Sequence, residues 1–337
     1  MNVRRAICSV IAGLALVLVA GPQARGQIAG VRVTTIAGQR WISVKDLAAR
    51  YGLILRVPPG QSVYLRSAAT TIEFRVDSRE ARFNDLAIWL HAPLLKQGGK
   101  WMITEADASK VVDPLMRSAA YLASRGRRVV VLDPGHGGYD RGARGRRGVE
   151  EKRVVLDVAK RARGHLVNAG YKVYLTRESD RFVSLEERCA KAKRWGADVF
   201  VSIHINSAPT REPKGLETYV MTVSGLPSTA AGVRSRGDAA FHAGNKQDSA
   251  NTVLGYYLQR ALLAKAKGED RGVRRARFAV LKSAPCPAAL VECGFVSHPA
   301  EESLMLSRYH REAIALAVSK GVLDYMAAVN RAKGSSK

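Results

Sequence analysis

Four side chains that can bind a metal or move a proton stand at the ends of predicted strands or at the start of a predicted helix: His136, Glu151, His204 and Glu292. His136 follows a β-branched run, His204 and Glu292 end apolar runs, and Glu151 opens an amphipathic stretch. In an open α/β sheet, ligands bind at the carboxyl ends of the strands. A catalytic zinc site needs three protein ligands, an open coordination position and a nearby carboxylate. The four residues therefore predict a hydrolytic zinc site.

Taken singly, most of these residues have an ordinary structural explanation. A histidine at a strand end is commonly a hydrogen-bonded structural residue, and a glutamate at a helix start is favoured by the helix dipole. Glu292 is different, because it lies within an apolar strand and burial of an unpaired carboxylate is costly. Glu292 thus favours a functional interpretation even without the other three.

The segments around these residues resemble the motif set of the zinc-dependent N-acetylmuramoyl-L-alanine amidases. The main matches are Asp133-Pro134-Gly135-His136-Gly137-Gly138, Glu151-Lys152, Ser202-Ile203-His204-Ile205-Asn206-Ser207 and Val291-Glu292-Cys293-Gly294-Phe295. Smaller matches fall between them in the same order: Leu175-Thr176-Arg177, Ser184-Leu185-Glu186-Glu187-Arg188, Gly215-Leu216-Glu217-Thr218-Tyr219 and Asp270-Arg271-Gly272-Val273. The likeness covers about residues 127–328.

The resemblance implies that His136, Glu151 and His204 bind zinc and that Glu292 is the catalytic carboxylate. It also names the bond, which joins the lactyl group of N-acetylmuramic acid to L-alanine in peptidoglycan. Asn206 lies two residues past His204, so strand alternation places it at the same edge. There it is expected either to hydrogen-bond the substrate or to stabilise a turn.

The chain is expected to contain a signal peptide at 1–26, a small β-rich α+β module at 31–115, a linker at 116–128 and the catalytic domain at 129–330. The catalytic part alternates strands and helices, which predicts an α/β fold with a mostly parallel sheet covered by helices on both faces. The family resemblance implies the same fold. Within that part, residues 221–249 keep no helical or strand period and are expected to form a long loop near the strand edge.

The N-terminal module is similar to the N-terminal domain of copper amine oxidases. The resemblance rests on two echoing segments, Trp41 to Ala48 and Trp101 to Ala108, which both turn from a strand into a helix with an acidic start. It does not imply copper, because His91 is the one histidine of the module and is expected to be structural.

Charge and the N-terminus together predict an exported protein of the periplasm or cell envelope. Arg4 and Arg5 precede an uncharged run that is short for a spanning helix, which is typical of a secretory signal. No later segment is long and apolar enough to be a transmembrane span.

The formal net charge is +25, and loss of 1–26, which holds three arginines and no acidic residue, leaves +22. Such a charge favours an anionic envelope polymer as a partner beside peptidoglycan. Nucleic acid is not predicted, because no nucleic-acid-binding module is recognisable.

The mature chain would keep three cysteines, Cys189, Cys286 and Cys293, without a CxxC motif. An odd number does not support a disulfide framework, so buried thiols are expected. In the family an aliphatic residue usually stands at the position of Cys293, and a thiol nucleophile there is the sharper alternative.

Two other functions stay open at this stage. One is a zinc hydrolase or deacetylase that acts on another envelope polymer. The other is a non-catalytic protein that binds the cell wall, although the intact set of four site residues argues against it.

The zinc assignment predicts that purified mature protein carries about one zinc ion per chain, as a catalytic site with three protein ligands does. His136→Ala and His204→Ala should each remove the metal, because the site loses one of those ligands. Metal analysis of the dialysed proteins tests this. Stoichiometric zinc in both variants would contradict the assignment.

Overall fold

The computed structural model describes residues 28–122, 126–229 and 235–334. The predicted signal peptide lies outside these residues, as do residues 123–125 of the predicted linker and 230–234 of the predicted long loop. None of the helices in the described part of the chain is long and apolar enough to cross a membrane.

The described residues up to 122 form nine strands and three short helices, and a π-helical turn at Ala108–Val112 joins the last two helices. The elements are β1 (Val33–Ile36), β2 (Gln39–Ser43), α1 (Val44–Arg50), β3 (Ile54–Arg56), β4 (Ser62–Arg66), β5 (Thr71–Arg75), β6 (Glu80–Phe83), β7 (Leu86–Trp89), β8 (Leu95–Gln97), β9 (Lys100–Thr104), α2 (Glu105–Asp107) and α3 (Asp113–Met116). A short 3₁₀ turn, Ser118–Ala120, lies within the segment 116–128 that was predicted as a linker.

The described residues from 126 onward alternate strands and helices, as expected for an α/β fold. The elements are β10 (Val129–Pro134), α4 (Glu151–Asn168), β11 (Lys172–Leu175), α5 (Leu185–Arg194), β12 (Val199–Asn206), β13 (Leu216–Met221), α6 (Asp248–Lys265), β14 (Asp270–Ala276), α7 (Ala279–Lys282), β15 (Ala288–Phe295), α8 (Pro299–Leu306) and α9 (Arg308–Gly334).

The catalytic strands lie in the order β11-β10-β12-β15-β13-β14. Each neighbouring pair is parallel except β15 and β13, which are antiparallel. The carboxyl ends of β10, β12 and β15 therefore meet at one edge of the sheet, where sequence reasoning placed His136, His204 and Glu292.

Helices pack against the two sides of these strands. In β10, Val130 and Leu132 belong to the core that α4, α6 and α9 cover, whereas Val131 belongs to a smaller core that contains residues of α5 and α7. The consecutive strand residues are apolar because both sides of the strand are buried.

Two segments differ from the expected secondary structure. The sequence pattern of the short apolar run Phe278-Ala279-Val280-Leu281 predicts a hairpin-like segment, but Ala279–Lys282 is a helical turn. The segment 221–249 contains two 3₁₀ turns, Arg236–Ala239 and Ala243–Gln247, in its described part. Short apolar runs of four residues do not distinguish a strand from a helical turn.

The catalytic sheet continues into the N-terminal module. Strand β14 pairs with β7 in parallel, and β6, β5, β4 and β3 follow in antiparallel order, which makes one sheet of 11 strands. The remaining strands form a separate antiparallel sheet, β1-β2-β9-β8. Apolar residues of both parts belong to one hydrophobic core.

The pairing of β14 with β7 requires a glycine at Gly272. This residue has φ +85°, and a Cβ placed on it would lie 2.5 Å from the carbonyl oxygen of Ala87. The side chain of Asp270 also contributes, because its Oδ2 accepts a hydrogen bond of 2.8 Å from the backbone N–H of Ala87. The two parts thus approach each other at backbone contact distance.

Gly272→Ala is therefore expected to lower the free energy of unfolding by more than the strain of placing alanine at a positive φ would cause. Gly148→Ala is a matched control, since Gly148 has φ +84° and no atom within 4 Å of its added Cβ. The positive φ should cost about 1 kcal/mol in both variants, and the contact with Ala87 should cost about 1–3 kcal/mol more in Gly272→Ala alone. Equal urea midpoints for the two variants would contradict the close contact of β7 with β14.

Candidate metal centre

The loop after β10 places His136 at the sheet edge. His136 adopts φ +58°, a left-handed conformation that is uncommon for residues other than glycine. Its neighbour Gly135 has no room for a side chain, because a Cβ there would lie 2.3 Å from Cε1 of His204. The Nδ1 of His136 lies 2.8 Å from Oδ2 of Asp140, which leaves Nε2 directed at Glu151.

Two buried arginines hold this loop by its backbone carbonyls. Arg177 donates to the carbonyl oxygens of Pro134 and Gly135, at 3.0 and 2.7 Å. Arg188 donates to the carbonyl oxygen of His136 at 2.8 Å. Burial, with the charge of Arg188 beside it, lowers the pKa of Arg177 to about 10, so its guanidinium stays charged at neutral pH. The sequence motifs contained both arginines, but pattern reasoning assigned them no role.

Glu151 is the first residue of α4 and is 3% exposed. Its Oε1 lies 2.9 Å from Nδ1 of His204, and its Oε2 lies 3.2 Å from Nε2 of His136. The backbone N–H groups of Ile205 and Ala143 also donate to this carboxylate, at 3.0 and 2.8 Å. Although burial opposes ionisation, the hydrogen bonds from the two histidines hold the pKa of Glu151 well below its usual range.

His136, Glu151 and His204 thus form one cluster. One ligand atom from each residue lies within 4.8 Å of the others. The two imidazole rings meet edge to face, with centroids 5.0 Å apart and an interplanar angle of 80°. Two imidazoles and one ionised carboxylate form a donor set that suits a divalent transition metal.

Glu292 lies beside this cluster, on β15, and is paired in register with His204. Its side chain is buried, and Oε2 has no hydrogen-bond partner among the described residues. Burial, together with the nearby charges of Glu151 and Glu217, raises the pKa of Glu292 well above its ordinary value. A buried carboxyl oxygen without a partner is uncommon in folded proteins and is typical of functional sites.

Asn206 stands at the same edge, but both ends of its amide have protein partners. Its Nδ2 donates to Oε1 of Glu217 at 2.7 Å, and its Oδ1 accepts from the backbone N–H of Ser207 at 2.8 Å. These bonds fit the turn-stabilising alternative, while a contact with substrate stays a prediction.

Pattern reasoning assigned no role to Glu217, which is 1% exposed on β13. Its Oε2 accepts from Arg271 at 2.9 Å and pairs with Arg274 at 3.0 Å. The signal that drew attention to Glu292, a glutamate within an apolar strand, was equally present here. The three cysteines Cys189, Cys286 and Cys293, in contrast, are buried as expected. Burial also raises the pKa of Cys293 far above neutrality, which disfavours a thiolate nucleophile.

An α/β sheet with a His–Glu–His cluster at its carboxyl edge, beside a buried carboxylate, is an arrangement typical of metal-dependent hydrolases. Residues 130–324 match the family described as N-acetylmuramoyl-L-alanine amidase, Amidase_3. The chain belongs to this family.

Individual relatives agree with this assignment. N-acetylmuramoyl-L-alanine amidase AmiA of Escherichia coli K12 is 35% identical over 235 residues, which cover 64% of this chain and 81% of AmiA. AmiC of Neisseria meningitidis is 36% identical over 224 residues, or 60% of this chain and 53% of AmiC. The solved amidase AmiC2 of Nostoc punctiforme is 33% identical with a TM-score of 0.51 and covers 60% of this chain and 98% of that structure. The protein is accordingly an enzyme that hydrolyses the amide bond between N-acetylmuramic acid and L-alanine in peptidoglycan.

The burial of Glu292 should affect the stability of the metal-free protein in a pH-dependent way. Because the pKa of Glu292 is raised in the folded state, its ionisation opposes folding. This cost is absent below the ordinary pKa of 4.5 and grows as the pH rises above it. Glu292→Gln should therefore stabilise chelator-treated protein at pH 7.5 by about 1 kcal/mol, and the gain should vanish near pH 4.

Thermal melts of both proteins at the two pH values test this expectation. Glu186→Gln is the control, since Glu186 is exposed and its substitution should leave the melting temperature unchanged. A lower melting temperature for Glu292→Gln at pH 7.5 would contradict the proposed cost of ionising Glu292.

Proposed function

We propose that the amidase reaction of this chain depends on zinc held by His136, Glu151 and His204, with Glu292 as the general base. The proposal rests on the difference between two neighbouring carboxyl groups, one with hydrogen-bond partners on both oxygens and one with an oxygen that has none among the described residues. Glu151 has both oxygens engaged by the two histidines, whereas Oε2 of Glu292, beside them, has no partner among the described residues.

The residues present fit the metal. Three ligand atoms converge within 4.8 Å, and Glu151 is ionised in spite of its burial. Asp140 binds the far nitrogen of His136, the arrangement that commonly orients a metal-binding imidazole. When bound, zinc would supply a Lewis acid that polarises the substrate carbonyl and increases the acidity of water.

Hydrolysis adds water to the carbonyl carbon and breaks its bond to the alanine nitrogen. Oε2 of Glu292 would accept one proton from the attacking water and later deliver it to the departing amine, so that a carboxylic acid and an amine leave the site. A single carboxyl group serves in both steps because it is a base first and an acid afterwards. The raised pKa of Glu292 favours the second role, and a cation bound beside it would favour the first.

The setting in which the enzyme acts is also part of the proposal. The predicted signal at 1–26 would export the chain to the periplasm or cell envelope, where peptidoglycan lies. The net charge of +22 that remains after loss of 1–26 would attract anionic envelope polymers. Residues 31–115 would form a non-catalytic module similar to the N-terminal domain of copper amine oxidases.

Glu292→Gln tests the base without removing a metal ligand. The variant is expected to retain zinc and to hydrolyse soluble muropeptides about 10² to 10⁴ times more slowly, which is the usual contribution of a general base. Turnover is measured by release of the stem peptide, and zinc by metal analysis.

Cys293→Ala is the matched control, because Cys293 is the next residue of β15 and belongs to the hydrophobic core. Its turnover should stay near that of the wild type. Wild-type turnover in Glu292→Gln would refute the base assignment, and loss of turnover in Cys293→Ala would revive the thiol alternative.

A further inference from the structure

Strand β7 of the N-terminal module contacts the catalytic part through the side chain of Trp89. The indole Nε1 donates a hydrogen bond of 3.0 Å to the carbonyl oxygen of Arg271. The guanidinium of Arg274 lies over the same indole, 4.4 Å from the ring centroid. One half-buried side chain of the module thus contacts the backbone of Arg271 and the guanidinium of Arg274, both in β14.

Both arginines converge on Glu217. Their Nε atoms lie 2.9 and 3.0 Å from Oε2 of this carboxylate, while Oε1 accepts hydrogen bonds from Asn206 and from the hydroxyl of Tyr219 at 2.7 and 3.0 Å. Because Glu217 is 1% exposed, it depends on these protein partners to offset the cost of its burial.

Glu217 is the direct cross-strand partner of Glu292 in the antiparallel pair of β13 and β15. Side chains of such partners lie about 4.5–5.5 Å apart at Cβ, and like charges at this separation repel. The two arginines compensate the charge of Glu217 and hold its oxygens in place. Glu292 can then remain without a partner, beside the cluster of His136, Glu151 and His204.

We propose that Trp89 is a positioning residue for catalysis, because it binds the backbone of Arg271 and the guanidinium of Arg274, which hold Glu217, and so keeps Glu217 from disturbing Glu292. On this view the N-terminal module forms part of the active-site support. The proposal rests on the role of Glu292 as general base proposed above.

Trp89→Leu in the full mature chain tests the proposal. Leucine keeps an apolar side chain in the interface but removes both the hydrogen bond to Arg271 and the ring under Arg274. We expect kcat on a soluble muropeptide to fall by about tenfold, as is common when a catalytic group is slightly misplaced. KM and zinc content should stay unchanged.

Two single variants separate positioning from simple packing. Trp89→Phe keeps an aromatic ring under Arg274 and should recover most of the lost kcat. Phe83→Leu weakens another contact of the same interface, the edge-to-face packing of Phe83 on Tyr256 with centroids 5.6 Å apart, without touching either arginine. Phe83→Leu should lower the melting temperature about as much as Trp89→Leu does, while its kcat stays at the wild-type value.

A double variant tests the route through Arg274. If Trp89 acts partly through this arginine, Trp89→Leu should cause a smaller further loss of kcat in an Arg274→Gln background than in the wild type. Equal loss of kcat in Trp89→Leu and Phe83→Leu, or fully multiplicative losses in the double variant, would overturn the proposal.

Glu292→Gln in the same assay distinguishes this inference from the function on which it rests. Wild-type kcat in Glu292→Gln would overturn the base assignment. Strongly reduced kcat in Glu292→Gln together with wild-type kcat in Trp89→Leu would overturn only the role of Trp89.

Discussion

The carboxylate of Glu151, ionised yet almost completely buried between two imidazoles, is the interaction on which the rest of the site depends. A buried charge requires protein partners in correct geometry, because burial removes it from the solvent that would otherwise stabilise it. His136 and His204 supply two of these partners, and the backbone N–H groups of Ala143 and Ile205 supply the others. The start of α4, the loop after β10 and the end of β12 are therefore tied to one another through a single side chain.

This requirement explains why the loop after β10 is so strongly constrained. Gly135 leaves room for the ring of His204, and the left-handed backbone of His136 turns its imidazole toward Glu151. A conformation of this kind persists only where the surroundings enforce it. Arg177 and Arg188 enforce it here through hydrogen bonds to the carbonyl oxygens of the loop, which gives these two buried guanidinium groups a structural role.

Two buried glutamates on neighbouring strands show how the same residue type takes opposite roles. Glu217 has partners on both oxygens, including two arginines, so it stabilises the local structure and has no free oxygen that could act as a base. Glu292 keeps one oxygen without a partner and has a raised pKa, as is typical of a group that transfers protons. The N-terminal module contributes to this difference, since Trp89 contacts both arginines.

Much of the fold and of the candidate site could be predicted from sequence. The α/β alternation after residue 128, the strand ends that carry His136, His204 and Glu292, and the start of α4 at Glu151 follow from local patterns of apolar residues and glycines. The family followed from an ordered set of short motifs. The helical turn at Ala279–Lys282 escaped prediction because four apolar residues carry no periodicity that separates strand from helix.

Tertiary structure alone decided which partners each charged group finds. Glu217 and Glu292 both stand in apolar strands, and no local pattern tells which one meets arginines, because Arg271 and Arg274 reach Glu217 across a pair of strands far apart in sequence. The continuation of the catalytic sheet into β7 could not be predicted either, because the sequence of an edge strand does not indicate which strand will pair with it. Sequence determined which residues can do the chemistry, and long-range packing determined their charges and their neighbours, because both depend on contacts between segments that are distant along the chain.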